Sequence, residues 1–501
     1  MEKKLAELRA ILAEIADIQG ASSLLGWDQQ VNMPAGGAKM RGQQMGTLRA
    51  ISHQKLISPE VGRLLDELQP FCETLDPDAD DARLVKVTRR RFEKSTKVPK
   101  EFIIEMAQVT SLAHQVWQKA RKANDFVSFQ ASLEKIVELR QRYASFFAPY
   151  EHVYDPLLDD FEPGLKTQDV QAIFQVVRPQ QSALVQAIAD CPPIDDRFLH
   201  QPYDEKKQWD FGVEVITRFG YDWNRGRQDK SAHPFTSSSS RDDVRITTRL
   251  MPDFLNPALF ATMHESGHAL YNQGIAPELA RSPLAGGASL AVHESQSRMW
   301  ENLVGRSLPF WEYFYPRLQE YFPDQLGQVN LESFYRGINK VQPSLIRVEA
   351  DEATYNLHIM LRLELEIALI EGSLAVKDLP EAWNSRMQEF LGVVPPTDAD
   401  GVLQDVHWSG GSIGYFSTYA LGNLVSAQLW ERIQADLPDL NDQIRSGEFS
   451  ALLGWLRDKV HRHGAKFEPQ ELVENITGSK IDPGAYLRYL RAKFGSIYGL
   501  D

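Results

Sequence analysis

The run His264-Glu265-Ser266-Gly267-His268 constrains this chain more than any other stretch. It reads H-E-x-x-H, a pattern that carries chemistry only on a helix. There the two histidines, four apart, lie one above the other on one face. Two imidazoles so placed can grip one zinc ion, with Glu265 beside them to take a proton from water. The flanks agree, since Leu259, Phe260, Met263 and Leu270 recur at helical spacing and offer a buried side. A catalytic zinc takes three protein ligands and leaves one position open. The fold must therefore bury this helix and bring a third donor back to it.

Glu294 is the candidate for that donor. It lies 26 residues beyond His268, on a second helix expected to begin near Ser289. A helix–loop–helix return can span that distance. Its neighbour His293 is the rival, but adjacent helical residues point about 100° apart, so only one can face the ion. His293 then reads as a core histidine or one that contacts a ligand. His461 and His463 are two apart on a charged segment, do not share a helix face, and read as surface residues.

The chemistry expected of such a centre is hydrolysis. Zinc brings the pKa of bound water near 7 and polarises a carbonyl. Glu265 would take the water proton and pass it to a leaving amine. An extra donor to the oxyanion, from a tyrosine or histidine, would add about 3–4 kcal/mol in the transition state.

Composition narrows the partners. The 501 residues carry a net charge of -14, which argues against nucleic acid or an anionic membrane. With two cysteines, Cys72 and Cys191, a disulfide framework is not expected and a reducing compartment fits. Met1-Glu2-Lys3-Lys4 leads into an amphipathic pattern rather than an apolar signal core. No run approaches the ~18 apolar residues of a membrane span. A cytoplasmic protein is the expectation.

Most of the chain reads as helix. Leu5, Leu8, Ile11, Leu12, Ile15 and Ile18 define a long first helix that stops by Met33-Pro34. Three helices are expected over 82–148, a break at Pro179, and another helix over 205–219. Further breaks are expected at Pro309, Pro316, Pro323 and Pro343. The exception is Val244 to Leu250, where β-branched and apolar residues alternate with Arg245, Thr247 and Arg249, predicting a strand. The serines before it, Ser237 to Ser240, read as a flexible loop that could form a mobile lip at a site.

With these residues in place, the sequence resembles the carboxypeptidase Taq family of zinc metallocarboxypeptidases. His233-Pro234-Phe235 is followed by Asp243-Val244-Arg245-Ile246-Thr247, similar to the family's D-x-R-x-T block. His293-Glu294-Ser295-Gln296 matches its third-ligand block. Ile346-Arg347-Val348-Glu349-Ala350-Asp351 resembles I-R-x-x-A-D, and Gly401 to Trp408 fits G-x-x-Q-D-x-H-W without a gap. Trp27-Asp28 and Met33-Pro34 also resemble the family. Ser417 departs from it, standing where proline is expected.

The resemblance implies a mainly α, saddle-like fold of the gluzincin and neurolysin kind, with a deep groove and a small sheet near 243–250. It implies one catalytic domain over 1–501, with two helical lobes flanking the groove, usually as a homodimer. It implies release of single C-terminal residues with broad preference, from peptides with a free C-terminus, and zinc, with cobalt as a substitute. Arg347 would hold the terminal carboxylate bidentately, or else be a structural ion pair with Glu349 or Asp351. His407, Tyr415 and Tyr419 would bind substrate backbone and the oxyanion, or else pack helices. His233 is a further substrate-binding candidate, Arg245 is either substrate-binding or structural, and Asp351 or Asp243 would orient a metal-binding imidazole. The alternatives are an endopeptidase or dipeptide-releasing peptidase on the same scaffold, and a non-catalytic peptide-binding protein with a structural zinc.

Overall fold

A computed structural model of the chain describes residues 1–500. The architecture is mainly α with one small sheet, as expected. The described residues form two compact units. The first comprises Met1–Thr96, Asp195–Ile338 and Leu429–Gly478. The second comprises Lys97–Ile194, Asn339–Gln428 and the chain from Ser479 onward.

In the first unit the opening helix spans Glu2–Val31. Its Leu5, Leu8, Leu12 and Ile15 pack on Val61, Leu64, Leu65 and Leu68 of the helix Pro59–Cys72. Each such fully buried side chain stabilises the fold by roughly 1.5–3 kcal/mol. That packing fixes the opening helix where its later turns, Ile18 to Trp27, meet the sheet region.

The sheet has three strands, β1 (Gly226–Lys230), β2 (Thr236–Ser240) and β3 (Asp243–Thr248), in the order β1-β3-β2. β1 runs parallel to β3, and β2 antiparallel to it. The expected strand is β3, with Val244 and Ile246 fully buried on one face. The serine run is not a loop but the edge strand β2. Its hydroxyls are tied down, which a reading of serine as flexible polar filler misses. Ser23 of the opening helix donates to the Ser238 carbonyl across 2.9 Å, and Ser239 donates to Asp243 across 2.9 Å.

In the second unit Lys100–Ala123 and Val127–Ser145 are two of the three helices expected over 82–148; the third, Asp80–Lys97, belongs mainly to the first unit. The expected break at Pro179 is absent: Thr167–Ala189 is one helix. Pro316 likewise sits inside Leu308–Tyr321. A helical proline costs about 3 kcal/mol, and burial offsets it. Around Pro179, Val177, Gln181 and Val185 are buried, and Gln181 donates to the Ala353 carbonyl at 2.6 Å. Ser417 opens the helix Ser417–Asp436, at the first helical position where proline is also favoured, so the departure leaves the turn intact. No helix among the described residues is long and apolar enough to cross a membrane.

Candidate metal centre

The motif lies on the helix Asn256–Gly274, with Pro257 in its first turn. Leu259, Phe260, Met263 and Leu270 are all buried, as their spacing requires. Ser289 caps the returning helix Leu290–Arg298 by accepting from the Val292 N–H. The two helices touch at Gly267, where an added Cβ would meet the Gln296 carbonyl oxygen at 2.5 Å. The glycine inside the motif therefore lets the second helix approach closely enough to deliver a side chain.

That side chain is Glu294. Its Oε2 lies 3.6 Å from His264 Nε2 and 3.5 Å from His268 Nε2. A tetrahedral ion with bonds of about 2.0–2.1 Å spaces its ligand atoms about 3.4 Å apart, so the three donors fit a zinc-sized cation. Among the described residues these three are the one cluster of metal-capable donors. Three donors of this chemistry match an open site, whereas a structural zinc is closed by four.

Each donor is held from behind. His264 Nδ1 lies 2.8 Å from Glu301 Oε2. His268 Nδ1 lies 2.6 Å from His293 Nδ1, and His293 Nε2 lies 3.1 Å from Asn272 Oδ1. Burial and the neighbouring His268 hold His293 far below the usual histidine range. A neutral His293 that donates to Asn272 therefore presents its Nδ1 as an acceptor for His268. Burial works to raise the Glu294 carboxyl, but Arg298, donating at 2.7 Å, and the two imidazoles keep it well below the carboxylate range. Glu301 is lowered in the same way, by Arg298 and His264 against burial.

Glu265, 5 % exposed, projects beside the histidines. The Thr236 hydroxyl lies 2.7 Å from its Oε2 and 3.0 Å from its backbone carbonyl. The edge strand β2 thus reaches the residue expected to move the proton.

Sequence reasoning missed both Thr236 and Glu301. For Glu301 a signal existed: Glu294, Arg298 and Glu301 stand at i, i+4 and i+7, on one helical face. Asp243 and Asp351 do not orient an imidazole. Asp243 takes a two-point ion pair from Arg245, whose guanidinium also lies 4.3 Å above the Trp27 ring. Asp351 accepts from Gln342, Ala353 and Thr354. His233 sits exposed on the loop before β2. His461 is not a surface residue but fully buried. It lies on a short 3-10 turn, His461–His463, that tucks under the end of the motif helix, where a Cβ at Gly274 would meet the His461 Cβ at 2.6 Å.

In the second unit Arg347 is 5 % exposed and bonds Asp405 through Nε and Nη2, at 3.0 and 2.8 Å. Asp405, rather than Glu349 or Asp351, is its acidic partner. Arg362, wholly buried, reaches the other Asp405 oxygen at 2.7 Å and Gln404 at 2.8 Å. Two guanidinium groups thus share one carboxylate. Tyr419 lies 3.5 Å from His407 Nε2, and the Arg347 guanidinium lies 5.0 Å from the Tyr419 ring centre. Tyr415 packs edge-on against Tyr419, with ring centres 5.2 Å apart. Burial pushes His407 down to about 4, with Asp405 opposing, so the ring is neutral at pH 7.

Known proteins carry the same design from end to end. The carboxypeptidase Taq (M32) metallopeptidase family matches residues 7–494. Thermostable carboxypeptidase 1 of Thermus thermophilus is 42% identical over 97% of both chains. Its namesake from Pyrococcus furiosus is 38% identical over 98% of this chain and 97% of its own. The crystal structure of the M32 carboxypeptidase from Deinococcus radiodurans superposes with a TM-score of 0.96 at 41% identity, covering 99% of this chain and all of that one. Two histidines and a glutamate set for a metal, on a chain matched over nearly its whole length, make this protein a metallocarboxypeptidase of the carboxypeptidase Taq (M32) family.

Proposed function

We propose that the protein releases single amino acids from the C-termini of peptides with broad preference, using zinc held by His264, His268 and Glu294. The single observation that carries this reading is the three-donor cluster with Glu265 beside it. When bound, the ion supplies Lewis acidity toward water and a peptide carbonyl. Glu265 accepts the proton of the attacking water and delivers it to the departing amine. Thr236 holds Glu265 in place for both transfers.

Arg347 takes the substrate's terminal carboxylate. The supporting argument is charge. Arg347 and Arg362 share only Asp405, so this largely buried group keeps one net positive charge, which suits an incoming carboxylate. His407, Tyr415 and Tyr419 supply polar contacts to the peptide and the oxyanion, and His233 is a further substrate contact. Arg245 serves by holding Asp243 and covering Trp27. Cobalt is a workable substitute for zinc on the same donors. A homodimer in the cytoplasm completes the reading, supported by the family resemblance and by free Cys72 and Cys191.

The test uses N-blocked dipeptides and one longer peptide, with and without chelator, with the first product identified by mass. Release of one C-terminal residue, abolished by chelation, is expected. A dipeptide or internal fragment as first product would move the assignment to the dipeptide-releasing or endopeptidase alternative. Glu265→Gln is expected to retain metal and lose hydrolysis; hydrolysis that persists would return the centre to a structural role.

A further inference from the structure

The first unit contains a pocket of about 550 Å³ walled by the opening helix, the helix Ala38–Leu56 and the start of β2. Gln19, Trp27, Arg49, His53, Phe235 and Thr236 are among the residues that line it. Thr236 belongs to this wall and also bonds the Glu265 carboxylate. One wall residue of the pocket is therefore the proposed base's hydrogen-bond partner, and the pocket's volume accommodates a substrate side chain with its peptide group.

Its charge is distinctive. The lining includes Arg49 and His53 but no carboxylate. In a chain with 68 acidic and 54 basic residues, that is a bias against the prevailing sign. Arg49 and His53 are one turn apart, hence on one face of their helix. Among the described residues Arg49 makes no ion pair, so its charge is available to a ligand.

We propose that this pocket is a substrate subsite that receives the side chain of the residue upstream of the scissile bond and favours acidic over basic side chains. It rests on the carboxypeptidase reading, which assigns the terminal carboxylate to Arg347 and leaves the upstream residue to be held beside Glu265. Arg49 is exposed, so the discrimination is modest, about threefold to tenfold in kcat/KM for Asp over Lys at low salt. Screening shrinks it as salt rises.

The test compares zinc-loaded enzyme on N-blocked peptides that differ only in the residue before the last, Asp, Gln or Lys. Arg49→Glu is expected to invert the Asp-to-Lys ratio. Arg197→Glu, an equal change of net charge at an exposed site, is expected to leave the ratio as it was. A ratio untouched by Arg49→Glu, or moved equally by Arg197→Glu, overturns the subsite. Chelator-sensitive release of the last residue from the Gln peptide reports separately on the carboxypeptidase reading, so failure of the one is told from failure of the other.

Discussion

The Thr236 hydroxyl lies 2.7 Å from a carboxylate oxygen of Glu265, joining the edge strand to the helix that carries His264 and His268. A hydroxyl has one proton to give, and the shorter of its two contacts is to the carboxylate rather than the backbone carbonyl at 3.0 Å. One Glu265 oxygen is thereby fixed and the other left to face water. Thr236→Val keeps the shape and removes the bond. Misplacing a proton-transfer group by a fraction of an ångström costs about tenfold or more in rate. The expected outcome is a fall in kcat of that size with KM and bound metal unchanged, and recovery of most of the activity in Thr236→Ser. A loss confined to KM, or no rescue by serine, would refute the positioning role.

Glu301 and His293 should matter to the metal rather than to the peptide. Each contacts the far nitrogen of one histidine, which sets the tautomer and aims the near nitrogen. Glu301→Gln keeps an acceptor but loses the charge that makes His264 a stronger donor. Metal affinity should drop about 10–100-fold. Competition with a chelator of known affinity measures it. Activity at saturating metal should fall much less, and affinity equal to that of the parent protein would show that Glu301 does not tune the site.

Thr236 marks where the sequence stops being legible. Helix positions and β3 follow from periodicity, because burial of one face imposes a repeat on the residues, and the clustering of His264 with His268 follows from their spacing on one helix. Thr236 acts through its hydroxyl on a residue 29 positions away, which leaves no repeat, whereas Glu301 shares a helical face with Glu294 and Arg298. The serine run concealed a strand because serines carry no apolar alternation; it is held by pairing to β3 and by Ser23 of the opening helix, 215 residues from Ser238. Pro179 and Pro316 misled because local proline penalties were outweighed by tertiary burial. His461 misled because an i, i+2 pair was judged on helix geometry, whereas it lies on a 3-10 turn beneath Gly274. Asp405, the acidic partner of Arg347, was not legible, since an ion pair 58 residues apart has no local signature.

Arg347 offers a test of direction in substrate recognition. In Arg347→Ala, Asp405 retains Arg362, so no buried carboxylate is stranded. The fold should survive, which circular dichroism checks. kcat/KM for peptides with a free C-terminus should fall about 100-fold, as expected for loss of a buried charge-assisted contact. C-terminally amidated peptides should lose little, so the preference between the two collapses. An undiminished preference would locate the carboxylate contact elsewhere.

Glu366 gives a pH-dependent stability prediction independent of catalysis. It is fully buried and accepts from the Tyr154 hydroxyl at 2.5 Å, Trp408 Nε1 at 2.7 Å and the Gly414 N–H at 3.0 Å. Burial pushes its carboxyl up to about 7, and these three donors oppose the rise without cancelling it. In the unfolded chain the group titrates near 4.3. Between those values the native state holds a proton that the unfolded state has lost, so this group's contribution to stability falls as pH rises through this window, while His407 and His461, lowered by burial, act the other way in parent and variant alike. The drop is on the order of 2–3 kcal/mol between about pH 4.5 and 7. Asp351, pushed up to about 6 by burial, adds in the same direction. Glu294, Glu301 and Asp405 have lowered values, so their opposite contribution is spent below about pH 4.5. Glu366→Gln is neutral throughout but sets an amide nitrogen against one of the donors, which lowers stability at every pH. The gap in thermal midpoint between parent and variant should therefore narrow as pH is raised from 5 to 8. A gap of constant width would mean that the three donors win, and that Glu366 is ionised across the whole range.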